Sequence, residues 1–373
     1  MVRLRTRGRP RPGFPVNAAR TAVNDAVGYN SRHPMRQILK WSALALAVLL
    51  LVGLPALLGV RPFIGPKARP LSDRRFEPSV ARLERGRYLV TSGRAPCIMC
   101  HSPFDTTGGG LAPIPGKELT GRNWAADGTP FVTAQNLTPD PETGIGDRTD
   151  DELARAIREG IGHDGRALFP IMPYAKFRAM PDEDLASTIV YLRSLKPVRN
   201  PLPPSAVPFP LNRLINGVPA PIDAPVAADL STPEKRGAHI VAMAACADCH
   251  SVRDEQGNQP AGFEYAGGTA MPYQGRKTIY TANLTPAVNG IPYYTEDLFL
   301  DVMRTGKVKG RQLDPMMPTM YYRHMTDQDL KDVFAYLKTL TPVEHYVDNA
   351  MTATPCARCG LSHGGGERNK KRT

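Results

Sequence analysis

Cys97-Ile98-Met99-Cys100-His101 decides how this sequence is read, because it recurs 149 residues later as Cys246-Ala247-Asp248-Cys249-His250. A Cys-x-x-Cys pair followed directly by His is the attachment signature of c-type haem. The spacing brings both sulfurs to one edge of a porphyrin as thioethers, and the adjacent His reaches the iron as proximal ligand. A thioredoxin-like redox pair has no need of a His at that place. A zinc site needs further Cys or His nearby, and none repeats with the motif. The cofactor expected is therefore two covalently bound haems c, held by Cys97, Cys100, Cys246 and Cys249, with His101 and His250 on the irons.

The duplication extends outward from the motifs. Asn136-Leu-Thr-Pro139 recurs as Asn283-Leu-Thr-Pro286, Pro170-Ile-Met-Pro173 as Pro315-Met-Met-Pro318, and Leu185–Val198 as Leu330–Val343. Four blocks in one order mark a tandem of two like domains. Helices are expected at Val80–Thr91 and Pro233–Ala244, leading into each cysteine motif. Apolar residues at helical spacing (Leu185, Ile189, Leu192, Leu195; Leu330, Val333, Phe334, Leu337, Leu340) predict a closing helix in each copy. Thr149-x-x-Glu152 and Thr326-x-x-Asp329 read as helix-opening capping boxes, and Pro197 and Pro342 as stops.

A sixth iron ligand is expected from Met172 and Met317. They stand in register, each before a Pro and ahead of the closing helix, in a loop that can fold over the haem. Met316 adjoins Met317 but does not align with Met172, and Met271 follows His250 too soon. Met180 and Met325 precede helix starts and read as core contacts. His163 is a weaker rival because its counterpart is Val308.

The formal charge is +12 over 373 residues, which invites a nucleic-acid reading. Residues 1–40, however, hold nine basic side chains and one acid, and residues 356–373 five and one. Between them stand 33 basic and 33 acidic residues. A folded basic face is not expected, so no nucleic-acid partner is. Trp41–Val60 is uncharged and apolar throughout, roughly 30 Å long as a helix, enough to cross a bilayer. The basic segment before it keeps the N-terminus cytoplasmic and exports the remainder. The expected localisation is a bacterial inner membrane, single-pass, with the haem domains in the periplasm. A start at Met35 would instead give secretory-signal proportions, and whether the anchor is cleaved stays open.

The two haem motifs, Asn136-Leu-Thr-Pro-Asp-Pro-Glu-Thr-Gly-Ile-Gly146, Pro173-Tyr174 after Met172, and Met325-Thr-Asp-Gln-Asp-Leu330 together resemble the diheme class I cytochromes c. The likeness is nearest to the cytochrome c subunits of membrane-bound alcohol, aldehyde and gluconate dehydrogenases, and covers roughly residues 76–343. It implies a mainly α fold of two tandem class I cytochrome c-type helical haem domains after an N-terminal transmembrane helix. It further implies a non-enzymatic electron carrier. The donor would be a dehydrogenase subunit and the acceptor quinone, an oxidase or another cytochrome. The competing class is a diheme enzyme of peroxidase or thiosulfate dehydrogenase type, which two repeated Met ligands disfavour. The chain departs from the family in having two haem motifs where three are common, in Arg148 at a usually aromatic place, and in a shortened second loop, Leu284–Ile291.

The domains expected are thus a basic segment 1–40, an anchor 41–60, haem domains 76–197 and 231–343, a Pro-rich linker 198–230 and a disordered tail 344–373. Nine prolines stand from 197 to 225, eight of them in the linker, with Phe209, Leu211 and Leu214 expected to pack on a domain. In the tail, Cys356-Ala-Arg-Cys359-Gly360 has Gly where a haem motif needs His. An exported chain makes a disulfide its expected state; a metal pair with His363 and a relic of a third haem motif are the alternatives.

Overall fold

The computed structural model describes residues 32–95, 97–105, 111–124, 132–254, 257–272 and 277–370. The basic segment expected at 1–40 lies outside them except for its last nine residues. Those are already helical: α1 (Arg32–Val48) runs through a π-helical turn (Leu49–Gly53) into α2 (Leu54–Leu58). Pro55 lacks the N–H that an α-helix would use, and the wider turn sits directly before it. Met35–Leu58 is long and apolar enough to cross a membrane. That span begins earlier than the uncharged run because Arg36 and Lys40 continue the same helix.

Residues 61–373 form a separate compact unit, mainly helical, in which one plan is built twice. In the first copy α3 (Val80–Thr91) packs across α6 (Asp182–Ser194), with α4 (Asp150–Glu159) and the short α5 (Tyr174–Phe177) between them in sequence. In the second, α7 (Pro233–Met243) packs across α10 (Asp327–Thr339), with α8 (Glu296–Thr305) and α9 (Thr319–Tyr322) between. Both crossings are close enough to require glycine. A Cβ on Gly86 would lie 1.9 Å from the Ser187 carbonyl, and one on Gly237 1.9 Å from that of Asp332. Leu89, Leu185 and Ile189 in one copy and Ile240 and Leu330 in the other are fully buried along these seams.

The helix ends follow their local chemistry. Ser79, Thr149, Thr232 and Thr326 cap α3, α4, α7 and α10 by accepting the N–H three residues on, and Thr149 with Glu152 closes a reciprocal capping box. α6 and α10 stop at Ser194 and Thr339, a few residues short of Pro197 and Pro342. Paired strands of two residues, such as Arg122–Asn123 with Thr133–Ala134, pin the loops.

Two expectations change. Residues 344–370 are ordered, not a disordered tail: Ala353–Pro355 pairs antiparallel with Ser362–Gly364, and Cys356, Cys359 and His363 are buried there. The basic count at the very end misled, because the buried residues lie before it; 371–373 fall outside the described residues. The Pro-rich segment is held to the first copy at its beginning. Thr133 binds Pro203 and Ser205, and Asn200 donates to the Thr120 carbonyl at 2.8 Å. Ile215 is its buried anchor, whereas Phe209 and Leu214 face outward.

Candidate functional site

Each Cys-x-x-Cys-His stretch forms a short helical turn after the first helix of its copy. His101 Nδ1 lies 2.7 Å from the carbonyl of Gln135, and His250 Nδ1 lies 2.8 Å from that of Ala282. A carbonyl only accepts, so Nδ1 carries the proton and Nε2 is left with a free lone pair, as an imidazole needs for binding iron. Burial lowers the pKa of both rings, against the raising effect of the carbonyl bond. The neutral form is therefore favoured.

The Asn-Leu-Thr-Pro repeat explains how those carbonyls are positioned. Asn136 Oδ1 accepts from both Thr138 N–H and Thr138 Oγ1, and its Nδ2 donates to the Val198 carbonyl at 2.8 Å. Asn283, Thr285 and Val343 repeat these bonds, again with 2.8 Å to the carbonyl. One side chain thus closes the loop behind the His and ties it to the chain leaving the last helix. Ser102 and Ser251, directly after each His, accept from the N–H of Leu119 and Tyr265. Those two non-glycine residues both adopt left-handed backbone, φ 61° and 57°, a strain that persists where surrounding bonds over-determine it. The sequence offered signals for this: Ser follows His in both motifs, and the accepting carbonyl stands immediately before each Asn.

A cavity of about 2020 Å³ runs through both sites, roughly twice the upper end of ordinary ligand pockets. Cys97, Cys100, His101 and Met172 line it, as do Cys246, Cys249, His250 and Met317. The methionine loops share a backbone pattern. Met172 N–H donates to Phe169 and its carbonyl accepts from Tyr174, while Met317 does the same with Asp314 and Thr319. Met180 and Met325 are buried in the two cores. Met271, Met316 and His163 also reach the cavity wall. Burial pushes the Cys97 and Cys246 thiols up to about 12 and Cys100 to about 11. A redox-active pair would need the opposite shift.

The copies embrace reciprocally. Lys176 of α5 pairs with Asp248 inside the second cysteine motif at 2.5 Å. Its counterpart in α9, Tyr321, belongs to an apolar cluster of the first copy that includes Ile98 and Cys97, and donates to the Leu111 carbonyl at 2.5 Å. Met243 enters the core of the first copy beside Phe177. Asp329 accepts from Tyr88 Oη and pairs with the nearly buried Arg94 at 2.6 Å.

Cys356 and Cys359 are not joined to each other in this structure, and neither lines the cavity. Their neighbourhood is separate from the paired sites.

Repeated attachment motifs, imidazoles with a free nitrogen toward an apolar cavity, and methionines on its wall define a c-type haem protein of mainly helical fold. Residues 234–341 match the cytochrome c family and form a cytochrome c domain, with haem c as its covalent cofactor. The chain is similar to a nicotinate dehydrogenase component of Pseudomonas putida, 32% identical over 308 residues, which is 78% of this chain and 24% of that protein. It is 28% identical over 287 residues to the gluconate 2-dehydrogenase cytochrome c subunit of Pantoea cypripedii, 70% of this chain and 60% of the relative. A diheme cytochrome c-type protein of Cereibacter sphaeroides is 28% identical over 314 residues, 80% of this chain and 97% of the relative. The chain therefore spans about a quarter of the first of these and under two thirds of the second.

Proposed function

We propose that this protein is a membrane-anchored, periplasmic diheme cytochrome c that carries electrons from a dehydrogenase subunit to quinone, an oxidase or another cytochrome. The observation that carries this reading is the twofold repetition, bond for bond, of a His–carbonyl pair and a Met loop around one apolar cavity. Cys97 and Cys100, and Cys246 and Cys249, are the attachment points; His101 with Met172 and His250 with Met317 are the axial pairs. Haem c bound there supplies reversible one-electron chemistry at iron. The chain's part is to hold its ligands fixed and keep water from the site, so that little rearranges on electron gain or loss. The dehydrogenase partner is supported by the relatives' subunit names, and the anchor by the apolar helix Met35–Leu58. The catalytic alternative lacks support, because both copies offer Met where a peroxidase-type centre needs an open position.

Pyridine haemochrome analysis of the purified full chain tests the proposal. Two haems c per polypeptide are expected, together with the weak long-wavelength band of Met–iron bonding in the oxidised form. A high-spin iron that binds cyanide readily would overturn the carrier reading in favour of the enzyme.

A further inference from the structure

His345, Cys356, Cys359 and His363 meet in one buried cluster, outside the haem cavity, with their ligand atoms all within 4.8 Å of one another. None is more than 6% exposed. The local chain is built for this convergence. Cys356 follows the strand Ala353–Pro355, and His363 sits in its partner strand Ser362–Gly364. Between them the Cys356 N–H donates to Leu361 and the Gly360 N–H returns to the Cys356 carbonyl, both at 2.9 Å. Gly360 supplies the left-handed turn at φ 79°. His345 arrives from the chain leaving α10, and its ring packs edge-on to that of His363 at 4.6 Å between centroids.

The imidazoles are decisive. His345 Nδ1 lies 2.9 Å from the Ala266 carbonyl, and His363 Nδ1 lies 3.1 Å from that of Gly364. Each Nδ1 is therefore the donor, and each Nε2 is a bare acceptor. Both Nε2 atoms are buried and have no partner in the protein, a costly condition for a polar atom. A Cys356–Cys359 disulfide would use the sulfurs but leave both nitrogens orphaned. A third haem would need His where Gly360 stands, and the four side chains already fill the space between them.

We infer that His345, Cys356, Cys359 and His363 form a structural zinc site. Two sulfurs and two imidazole nitrogens are a closed tetrahedral set typical of Zn²⁺. Two thiolates neutralise the ion, so the buried site carries no net charge. The metal would fasten the last folded segment to the back of the second haem domain. Val252 and Ala266 pack on the two cysteines, Asn283 donates to the His345 carbonyl at 3.1 Å, and Gly267, next to Ala266, donates to the carbonyl of His250.

The test is elemental analysis of the full chain purified with its haems. One zinc per two irons is expected, with zinc-edge absorption fitting two sulfurs at ~2.3 Å and two nitrogens at ~2.0 Å. His345→Asn keeps a donor toward Ala266 and should lose zinc while retaining both haems; Cys356→Ser/Cys359→Ser should do the same. Zinc-free protein whose peptide mass shows Cys356 joined to Cys359 would overturn the inference. So would a third iron replacing zinc, or zinc retained undiminished in both variants.

Discussion

The two copies solve one structural problem with different chemistry at the point where the chain leaves the last helix. In the first, Asn200 donates to the carbonyl of Thr120. In the second, the residue in register is His345, which makes the same bond to the carbonyl in register, Ala266. An amide ends its work there, whereas an imidazole has a second nitrogen to commit elsewhere. The first extension then continues as a proline-rich strap held by Thr133 and Ser205, lining the cavity at Leu202 and Val207. The second folds back into a hairpin around Cys356, Cys359 and His363. Duplicated domains can thus keep the loop that sets a haem ligand while replacing the device that secures it.

The comparison can be broken most severely at the attachment sites. Cys97→Ala/Cys100→Ala, or the same change at Cys246 and Cys249, should halve the covalent haem measured per chain. Loss of both haems from either double variant would show that the copies do not mature independently. Met172→Ala and Met317→Ala come next. Each should lower one potential in a spectroelectrochemical titration by a substantial fraction of the roughly 0.8 V over which axial ligands act, leaving the other unmoved. If neither potential moves, the ligand assignment is wrong.

Stability measurements sharpen the contrast further. Asp329→Ala removes the partner of nearly buried Arg94 and of Tyr88, and should cost about 3 kcal/mol in denaturant unfolding. Asn136→Ala should cost about 2 kcal/mol by leaving buried groups unpaired. A smaller loss for Asn283→Ala, restored to parity by a zinc chelator, is the expected signature of the second fastening.

The smallest effect concerns acid, and it belongs to the first copy alone. Burial acts to raise Asp151, but the bonds from Arg69 and the Ser72 N–H prevail and hold its carboxyl at about 2. A carboxyl depressed in the folded state contributes stability above its ordinary value, 3.8, and loses it as pH falls toward 2. Glu159, raised chiefly by burial, partly opposes this trend. Asp151→Asn should therefore destabilise the protein at neutral pH and flatten its acid unfolding between those limits. The residue in register in the second copy, Asp297, follows its cap Thr295 as Asp151 follows Thr149, but it is exposed; Asp297→Asn should cost little stability at neutral pH.

Much of the haem site was legible because its chemistry is local. Cys-x-x-Cys-His must be contiguous for both sulfurs and the imidazole to reach one porphyrin, and duplication singled out Met172 and Met317, among 13 methionines, as the proposed sixth ligands. Helical spacing and caps marked α3, α4, α6, α7 and α10 for the same reason. The carbonyls of Gln135 and Ala282 were signalled only by the Asn that follows each, since a backbone acceptor itself leaves no trace in residue type. The strained Leu119 and Tyr265 were hidden, because neither favours left-handed backbone. The ordered C-terminal segment was misjudged from its composition, because Cys356 and Cys359 are buried with Val252 and Ala266, which stand far earlier in the chain.

What the sequence determined by itself is the repeat and the cofactor, set by short spacings and covalent chemistry. Only the tertiary structure decided which carbonyl orients each imidazole and how the copies embrace around one cavity. It alone brought two histidines against two cysteines. The first two outcomes rest on contacts between residues tens to hundreds of positions apart, where hydrogen-bond geometry and burial, not spacing, select the partner; the last rests on the hairpin that turns His363 back beside the cysteines.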